Sequence, residues 1–360
     1  MRSSNLATVT ALTTALLALA GGGARAATLV IDDADPAGQG LNDPTPFSPV
    51  GGNNATTLGA ARLAVFQQAA AIWGAQLQST VPIHVSTQMV PLTCNATSAV
   101  LASTGAESVH RDFPSAPLAG TWYPQALANA LAGTDLAPTT PDIGTQFNSQ
   151  LGNAGCFTGI TFYLGLDAHP SSTQVDMLTV VLHELAHGLG FQSYTDFTTG
   201  AEFNGFPDAF LLNIQEVGAT PSSLSAMTNA QRVAAALSDP DLDWTGGNVQ
   251  AAASTLTAGL IAGHVRLYAP ATFAGGSSVS HYSTALTPNE LMEPIYTAPN
   301  RNLALTQDLL RDLGWRLPVA TTNVAALPSG GRALLLFALG AAVTFGARRG
   351  RRRQSPDRPG

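Results

Sequence analysis

Lysine is missing from this sequence, and charged residues of all kinds make up only 11% of its 360 positions. All 16 basic residues are therefore arginine, and most of them lie in the two ends, outside residues 27–331. The body between those ends is strongly acidic, which argues against a nucleic-acid partner and favours solubility outside the cell. The apolar content of 45% still predicts a globular protein with a substantial core rather than a disordered chain.

Long apolar runs are also scarce, and the first of them lies at the N-terminus. The stretch Leu6–Ala20 follows the basic Arg2 and precedes the small-residue motif ARA at residues 24–26. This order of a basic start, an apolar stretch and a small-residue exit is typical of a secretory signal peptide. We therefore predict a signal peptide over residues 1–26, cleaved after Ala26, and an exported protein that is secreted or displayed at the cell surface.

The second apolar run, Ala333–Ala347, lies near the C-terminus and is followed by five arginines within residues 348–353. As a helix it reaches only about 22 Å, short of the roughly 30 Å hydrocarbon core of a bilayer. With the SGG at residues 329–331 before it, the tail resembles the tripartite C-terminal sorting signals of Gram-negative bacteria. The resemblance implies a linker over residues 318–331, and a tail over 332–360 that engages the membrane and a sorting protease and anchors the protein only transiently.

Cysteine occurs only twice, as Cys94 and Cys156. In an exported protein two cysteines are most simply one disulfide.

Between the two ends, residues 27–317 are expected to form one domain. Helical spacing of apolar residues predicts helices over 58–77, 123–131, 229–237 and 303–313, and an acid-capped helix from Asp176 to Gly188. Strand patterns occur at 81–90, 159–165 and 265–268, whereas residues 91–153 are expected to be mostly loops. We expect residues 193–280 to be an insertion rather than a separate domain.

One motif carries chemistry, the segment HELAHGLGF at residues 183–191. Two histidines four positions apart lie on one face of a helix, so His183 and His187 can bind a single tetrahedral zinc ion. Glu184 can then act as general base on a water beside the metal and pass the proton to the leaving amine. Gly188 and Gly190 are expected to end the helix and allow a sharp turn.

The segment resembles the metzincin pattern, in which a third histidine follows the glycine by three residues. Ser193 stands at that position here, and a serine hydroxyl is a poor zinc ligand. Another donor must complete the site, and the residues alone leave Asp196, His264 and His281 as candidates.

A second resemblance chooses among them. Residues 276–294, GSSVSHYSTALTPNELMEP, are similar to the stretch of leishmanolysin-type metzincins where a distant histidine follows an insertion and precedes the Met-turn. The resemblance implies His281 as the third zinc ligand and Met292 as the apolar floor beneath the metal, with Pro294 helping to fix the turn. It also implies an α+β fold with a twisted, mostly parallel sheet, long helices that include the zinc-binding one, and an irregular C-terminal subdomain.

The resulting prediction is a monomeric zinc endopeptidase that acts on extracellular proteins or peptides. Two alternatives stay open, a zinc-containing surface module that binds without cleaving, and a metal hydrolase of a non-peptide bond. The oxyanion partner is also open between Tyr282 and Tyr296, which flank the proposed turn. By fold analogy, the predicted strand at 159–165 could pair with an extended peptide.

Overall fold

The computed structural model of the protein describes residues 25–318, which contain both helices and strands. Its α-helices are α1 (Leu58–Gln76), α2 (Gln125–Ala132), α3 (Met177–Leu189), α4 (Asn229–Ala235), α5 (Gly247–Ala252) and α6 (Ala304–Leu313). Short 3-10 helices occupy Gly40–Asn42, Phe203–Gly205, Leu211–Asn213, Leu224–Ala226 and Ala253–Thr255. Apart from residues 25, 26 and 318, the predicted signal peptide, linker and C-terminal tail lie outside the described residues.

The strands of the same range are β1 (Leu29–Asp33), β2 (Ile83–Val90), β3 (Cys94–Asn95), β4 (Ser98–Ala99), β5 (Ala102–Ala106), β6 (Val109–His110), β7 (Tyr123–Pro124), β8 (Ile143–Asn148), β9 (Thr161–Tyr163), β10 (Gln174–Asp176), β11 (Ile214–Glu216), β12 (Leu242–Trp244), β13 (Leu260–Ile261) and β14 (His264–Arg266). The central sheet has the order β1-β2-β8-β5, in which β1, β2 and β8 are parallel and the edge strand β5 is antiparallel. A second sheet, β11-β12-β14-β13, is antiparallel throughout. The fold is therefore mixed α+β with both strand orientations, as predicted at this coarser level.

Helices α1 and α3 pack together beside the central sheet, and their apolar residues supply much of the core. Helix α1 begins at an N-cap, Thr57, whose side chain accepts a hydrogen bond from the Ala60 amide. The fully buried Trp73 of α1 donates from its indole nitrogen to the Leu182 carbonyl of α3 at 3.0 Å. This bond pairs a buried polar group inside the core and fixes α3 against α1.

Two predicted regions differ from the structure. Residues 91–153 contain β5 and β8, two strands of the central sheet, rather than mostly loops. The predicted strand at 159–165 is only the three residues of β9, which pairs with β10 in a separate two-stranded sheet. Pairing across the chain, rather than local apolar content, decides which segments become strands.

The C-terminal helix α6 ends in the DLGW sequence that was expected to close the core. Trp315 is buried, and its indole nitrogen donates to the Leu189 carbonyl at the end of α3, at 2.8 Å. The contact joins the last described element to the helix that bears the histidine motif. Within residues 25–318, the helices are all too short or too polar to cross a membrane.

Candidate metal centre

Helix α3 presents the histidine motif on a buried face. The helix begins after Asp176, whose carboxylate accepts a hydrogen bond from the Thr179 amide at 3.1 Å, as the sequence predicts. Arg301 pairs with the same carboxylate at 3.0 Å. Glu184 and His187 are each only 7% exposed. The motif therefore lies on a rigid, capped helix that is fastened at its first turn.

The two glycines of the motif have different roles. Gly190 ends the helix in a conformation with φ 126°, which favours glycine. Gly188 lies inside the helix, and a Cβ there would come within 2.4 Å of the Ile143 side chain on β8. The prediction that both glycines end the helix is thus wrong for Gly188, which instead allows α3 to approach the sheet closely.

Three histidine side chains meet at one point. The Nε2 atom of His183 lies 3.1 Å from that of His187 and 3.1 Å from that of His281, and the remaining pair is 3.2 Å apart. Within residues 25–318, they form the one group of three or more His, Cys, Asp or Glu side chains close enough together to hold a metal ion.

Hydrogen bonds fix the tautomer of each ring. Each Nδ1 donates over 2.8 Å to a backbone carbonyl: His183 to Leu291, His187 to Phe191 and His281 to Ser277. Because a carbonyl oxygen can only accept, the proton of each neutral ring is on Nδ1. The three Nε2 atoms therefore face one another with lone pairs, an arrangement that is repulsive unless a cation lies among them.

The donor set fits a small divalent metal. For tetrahedral coordination at Zn–N distances of about 2.0–2.1 Å, neighbouring nitrogens lie about 3.3 Å apart. The observed separations of 3.1–3.2 Å are close to that value. Three neutral imidazoles suit zinc, and also copper, iron or nickel. The three nitrogens thus have the spacing of a metal site built from imidazole ligands.

Burial keeps the three rings neutral. It lowers the pKa of His183 to about 4 and that of His187 to about 3. The pKa of His281 is also well below its usual value, first because of burial and then because of the two neighbouring imidazoles. Neutral rings are the form that binds metal, so the site is ready to bind without first losing protons at neutral pH.

Glu184 lies beside strand β5. Burial raises the pKa of its carboxyl to about 7, and the Thr104 hydroxyl of β5 partly opposes the shift. Thr104 is itself paired with the Thr145 hydroxyl of β8 at 2.6 Å. The contact could not be predicted from the sequence, because the segment that forms β5 has no strand pattern of its own.

The segment around Met292 is bonded to two of the histidine-bearing elements. The carbonyl of the preceding Leu291 holds His183, and the carbonyl of Met292 itself accepts from the Tyr282 amide at 2.9 Å, directly after His281. The Met292 side chain is fully buried. These contacts are compatible with the predicted turn beneath the metal.

The other ligand candidates are occupied elsewhere. The Ser193 hydroxyl donates to the buried Asp208 carboxylate at 2.7 Å, so it anchors the loop after α3. Asp196 accepts hydrogen bonds from the Thr198 hydroxyl and amide in an exposed turn. His264 pairs with Asp243 at 3.0 Å in the second sheet.

Both tyrosines considered for the oxyanion form hydrogen bonds to backbone groups. Tyr282 donates to the Leu305 carbonyl at 3.1 Å, and it is fully buried. The Tyr296 oxygen accepts from the Asp176 amide at 3.0 Å, at the beginning of α3. Both tyrosines therefore stabilise the packing around the centre.

The predicted disulfide is present between Cys94 and Cys156. It joins β3 to the loop that follows β8, and Asn148 at the end of β8 donates to the Val100 carbonyl at 2.9 Å beside it. The disulfide thus lies at the Asn148 end of β8, next to the start of β5.

Comparison with known proteins places the chain in a family. No curated protein and no solved structure matches it significantly. The sequence model of a family described as SPBPB7E8-like matches residues 54–239, which include α1 and α3 but end before His281 and Met292. Because this match covers just over half of the sequence, the chain belongs to the SPBPB7E8-like family.

Proposed function

We propose that the protein is an exported zinc-dependent endopeptidase of the metzincin kind. In this proposal His183, His187 and His281 bind zinc, Glu184 is the general base, and Met292 lies beneath the metal. The observation that carries it is the convergence of three histidine Nε2 atoms, with the buried Glu184 on the helix that bears two of these histidines.

Zinc in such a site supplies Lewis acidity, which polarises a substrate carbonyl and makes water more acidic. Glu184 would take the proton of the attacking water and transfer it to the leaving amine. Burial raises the pKa of the Glu184 carboxyl, which makes it a better proton acceptor. The Thr104 and Thr145 hydroxyls would hold the carboxyl group in place.

The free edge of β5 supports a peptide as the substrate. In its antiparallel pairing with β8, Leu101 and Glu107 bond inward, to Asn148 and Asp142. Because inward and outward backbone groups alternate along such a strand, those of Ala102, Thr104 and Ala106 point away from the sheet. An extended peptide could pair with them as an added strand, directly beside Glu184. The edge of β5, rather than the strand predicted at 159–165, is therefore the proposed pairing site for an extended peptide.

The disulfide and the acidic surface support export. A disulfide between Cys94 and Cys156 persists in an oxidising compartment. An acidic surface without lysine favours solubility there and disfavours nucleic acid. Secretion or surface display, and a monomeric state, are parts of the same proposal.

Bound metal and peptide cleavage should be measured together on the purified protein. We expect about one zinc per chain by mass spectrometry, and cleavage of casein. Glu184→Gln should keep zinc but lose roughly 10²- to 10⁴-fold in rate, since it removes only the base. His281→Ala should lose zinc.

His84→Ala is the matched control for His281→Ala. His84 is a half-exposed histidine that pairs with Asp32 at 2.8 Å, away from the three-histidine site, so its removal should change neither zinc content nor rate. If the protein binds zinc but cleaves neither casein nor a broad peptide library, the proposal of an endopeptidase is contradicted. That result would favour a binding module or a hydrolase of another bond.

A further inference from the structure

The third histidine lies in a short segment, residues 279–283, that is bonded to the continuation of strand β14. The Tyr268 amide donates to the His281 carbonyl at 2.9 Å. The Ser283 amide, two residues further on, donates to the Arg266 carbonyl at 3.0 Å. The backbone of the His281 segment, as we call residues 279–283, is therefore held against the second sheet.

Strand β12 holds the same part of β14 from the other side. Arg266 is the direct cross-strand partner of Asp243. At the next position along the chain, the Leu267 amide donates to the Leu242 carbonyl at 2.9 Å. Since neighbouring strands lie about 4.8 Å apart, Asp243 is two strands, or about 10 Å, from the His281 segment.

Asp243 is a fully buried acid that joins three strands of the second sheet. Its exposed fraction is 0%, and its Oδ1 atom lies 3.0 Å from the Nδ1 atom of His264 on β14. The side-chain amide of Gln215 on β11 donates to the same oxygen at 3.1 Å. A buried carboxylate is costly to leave without partners, so these bonds favour one arrangement of β12 against β14.

A metal requires the third nitrogen to be placed accurately. His183 and His187 share one helix, which sets the distance between them, whereas His281 comes from the second sheet. Its Nε2 atom lies 3.1 Å and 3.2 Å from those of His183 and His187. Since metal–ligand distances in proteins are kept to within about 0.2 Å, a small shift of the His281 segment would weaken binding.

We propose that Asp243 and His264 are positioning residues for the third metal ligand. They hold β14 against β12, and β14 in turn holds the His281 segment at the metal site. This inference rests on the metal site of the proposed function. His264, which the residues alone left as a ligand candidate, would thus support the site without binding the metal.

His264→Leu in the purified protein is the test, because it removes the partner of Asp243 and changes no ligand. We expect zinc affinity, measured near neutral pH by competition with a chelating dye, to fall about tenfold. The visible spectrum of the cobalt(II)-loaded protein should change as well, since it reports the arrangement of ligands around the metal. If the leucine variant does not fold, His264→Ala takes its place with the same expectations.

Two features of the test separate positioning from a general loss of stability. Destabilisation alone does not lower metal affinity or change the cobalt spectrum while nearly all of the protein stays folded. His264→Asn should restore most of the affinity, because its side-chain amide can take the place of the ring Nδ1 as a hydrogen-bond donor to Asp243.

His84→Leu is the matched control. The Nδ1 atom of His84 lies 2.8 Å from the Asp32 carboxylate, so it forms the same kind of pair, but between β2 and β1 of the central sheet. Its removal should leave zinc affinity and the cobalt spectrum unchanged. A His264→Leu variant that binds zinc as tightly as the parent, or whose cobalt spectrum is unchanged, overturns the inference and leaves the proposed function intact. A parent that binds no zinc overturns both.

Discussion

The region that carries His183 and His187 and the insertion that leads to His281 are stabilised in different ways. Around α1, α3 and the central sheet, large apolar side chains fill the interior, among them the edge-to-face pair of Phe66 and Phe147 with ring centroids 4.9 Å apart. The insertion, residues 193–280, has apolar packing of its own, such as Phe210 against Trp244 with ring centroids 4.7 Å apart, and in addition buries an arginine that bonds to backbone. Apolar packing tolerates small adjustments, whereas a buried charge must keep its particular partners.

Arg232 shows this dependence most clearly. It is only 5% exposed, and its guanidinium donates to the carbonyls of Gly200 at 2.6 Å and Met227 at 2.7 Å, and to the Asn229 side chain at 2.8 Å. A single side chain thus joins α4 to the loop that follows α3. We expect the position of His281, which directly follows this insertion, to depend on these contacts.

The largest effect is expected from Arg232→Met. The change leaves several buried carbonyls without a donor, and we expect a loss of about 3–5 kcal/mol in the free energy of unfolding. Hydrogen exchange should show lost protection in residues 193–280 but retained protection in α1 and α3, and zinc affinity should fall. Arg311→Met, which breaks an exposed pair with Asp308, is the control and should cost less than about 1 kcal/mol. Uniform loss of protection would show that the two regions unfold as one.

The next effect in size should come from the disulfide of the first region. Replacing both Cys94 and Cys156 by serine opens a loop with a sequence separation of 62 residues. The chain-entropy relation then gives a loss of about 4 kcal/mol. Urea unfolding with and without a reducing agent measures it, and the double variant should no longer respond to the reductant. Since the pair lies outside the histidine site, zinc content should be unchanged; its loss would connect the disulfide to the metal.

The same contrast explains what could be predicted from the sequence. Helices α1 and α3 have helical spacing and capping residues within one segment, so local patterns predicted them to within about two residues. His183, Glu184 and His187 share one helix turn and needed no tertiary information. His281 lies 94 residues beyond His187, and only the resemblance to a family linked the two.

Strand β5 could not be predicted for a related reason. Its sequence, ASTGA, has small residues and little apolar alternation, and it becomes a strand by pairing with β8, about 40 residues further on. Its contact with Glu184 depends on that pairing. The role of Ser193 likewise depends on Asp208, a partner outside the motif.

A smaller, pH-dependent effect is expected at Glu290, where the chain passes from one region back to the other. Its side chain is 3% exposed, and one carboxyl oxygen finds no hydrogen-bond partner within residues 25–318. Burial, and then the charge of Glu293, raise its pKa to about 7. The unfolded chain therefore releases this proton at lower pH than the folded protein, and stability falls as the pH rises from about 4.5 to 7.

Glu290→Gln should remove that fall. We expect the variant and the parent to unfold alike below pH 4.5, and the variant to be more stable by roughly 2 kcal/mol above pH 7. Urea unfolding of both proteins across this range measures the difference in stability. The histidines are the same in both proteins, so their titration cancels in this difference. A constant difference at all pH values would mean that Glu290 does not titrate in this window.

The smallest effect is expected from Ser193→Ala, at the junction of the two regions. The change removes the 2.7 Å hydrogen bond to Asp208, which still accepts from the Tyr194 amide, and should cost about 1–2 kcal/mol. Zinc content should stay at the parent's value, because Ser193 is bonded away from the three histidines. Zinc analysis and urea unfolding of the same sample separate the two quantities. If zinc were lost while stability changed little, Ser193 would contribute to metal binding. The motif would then need no distant third histidine supplied from beyond the insertion.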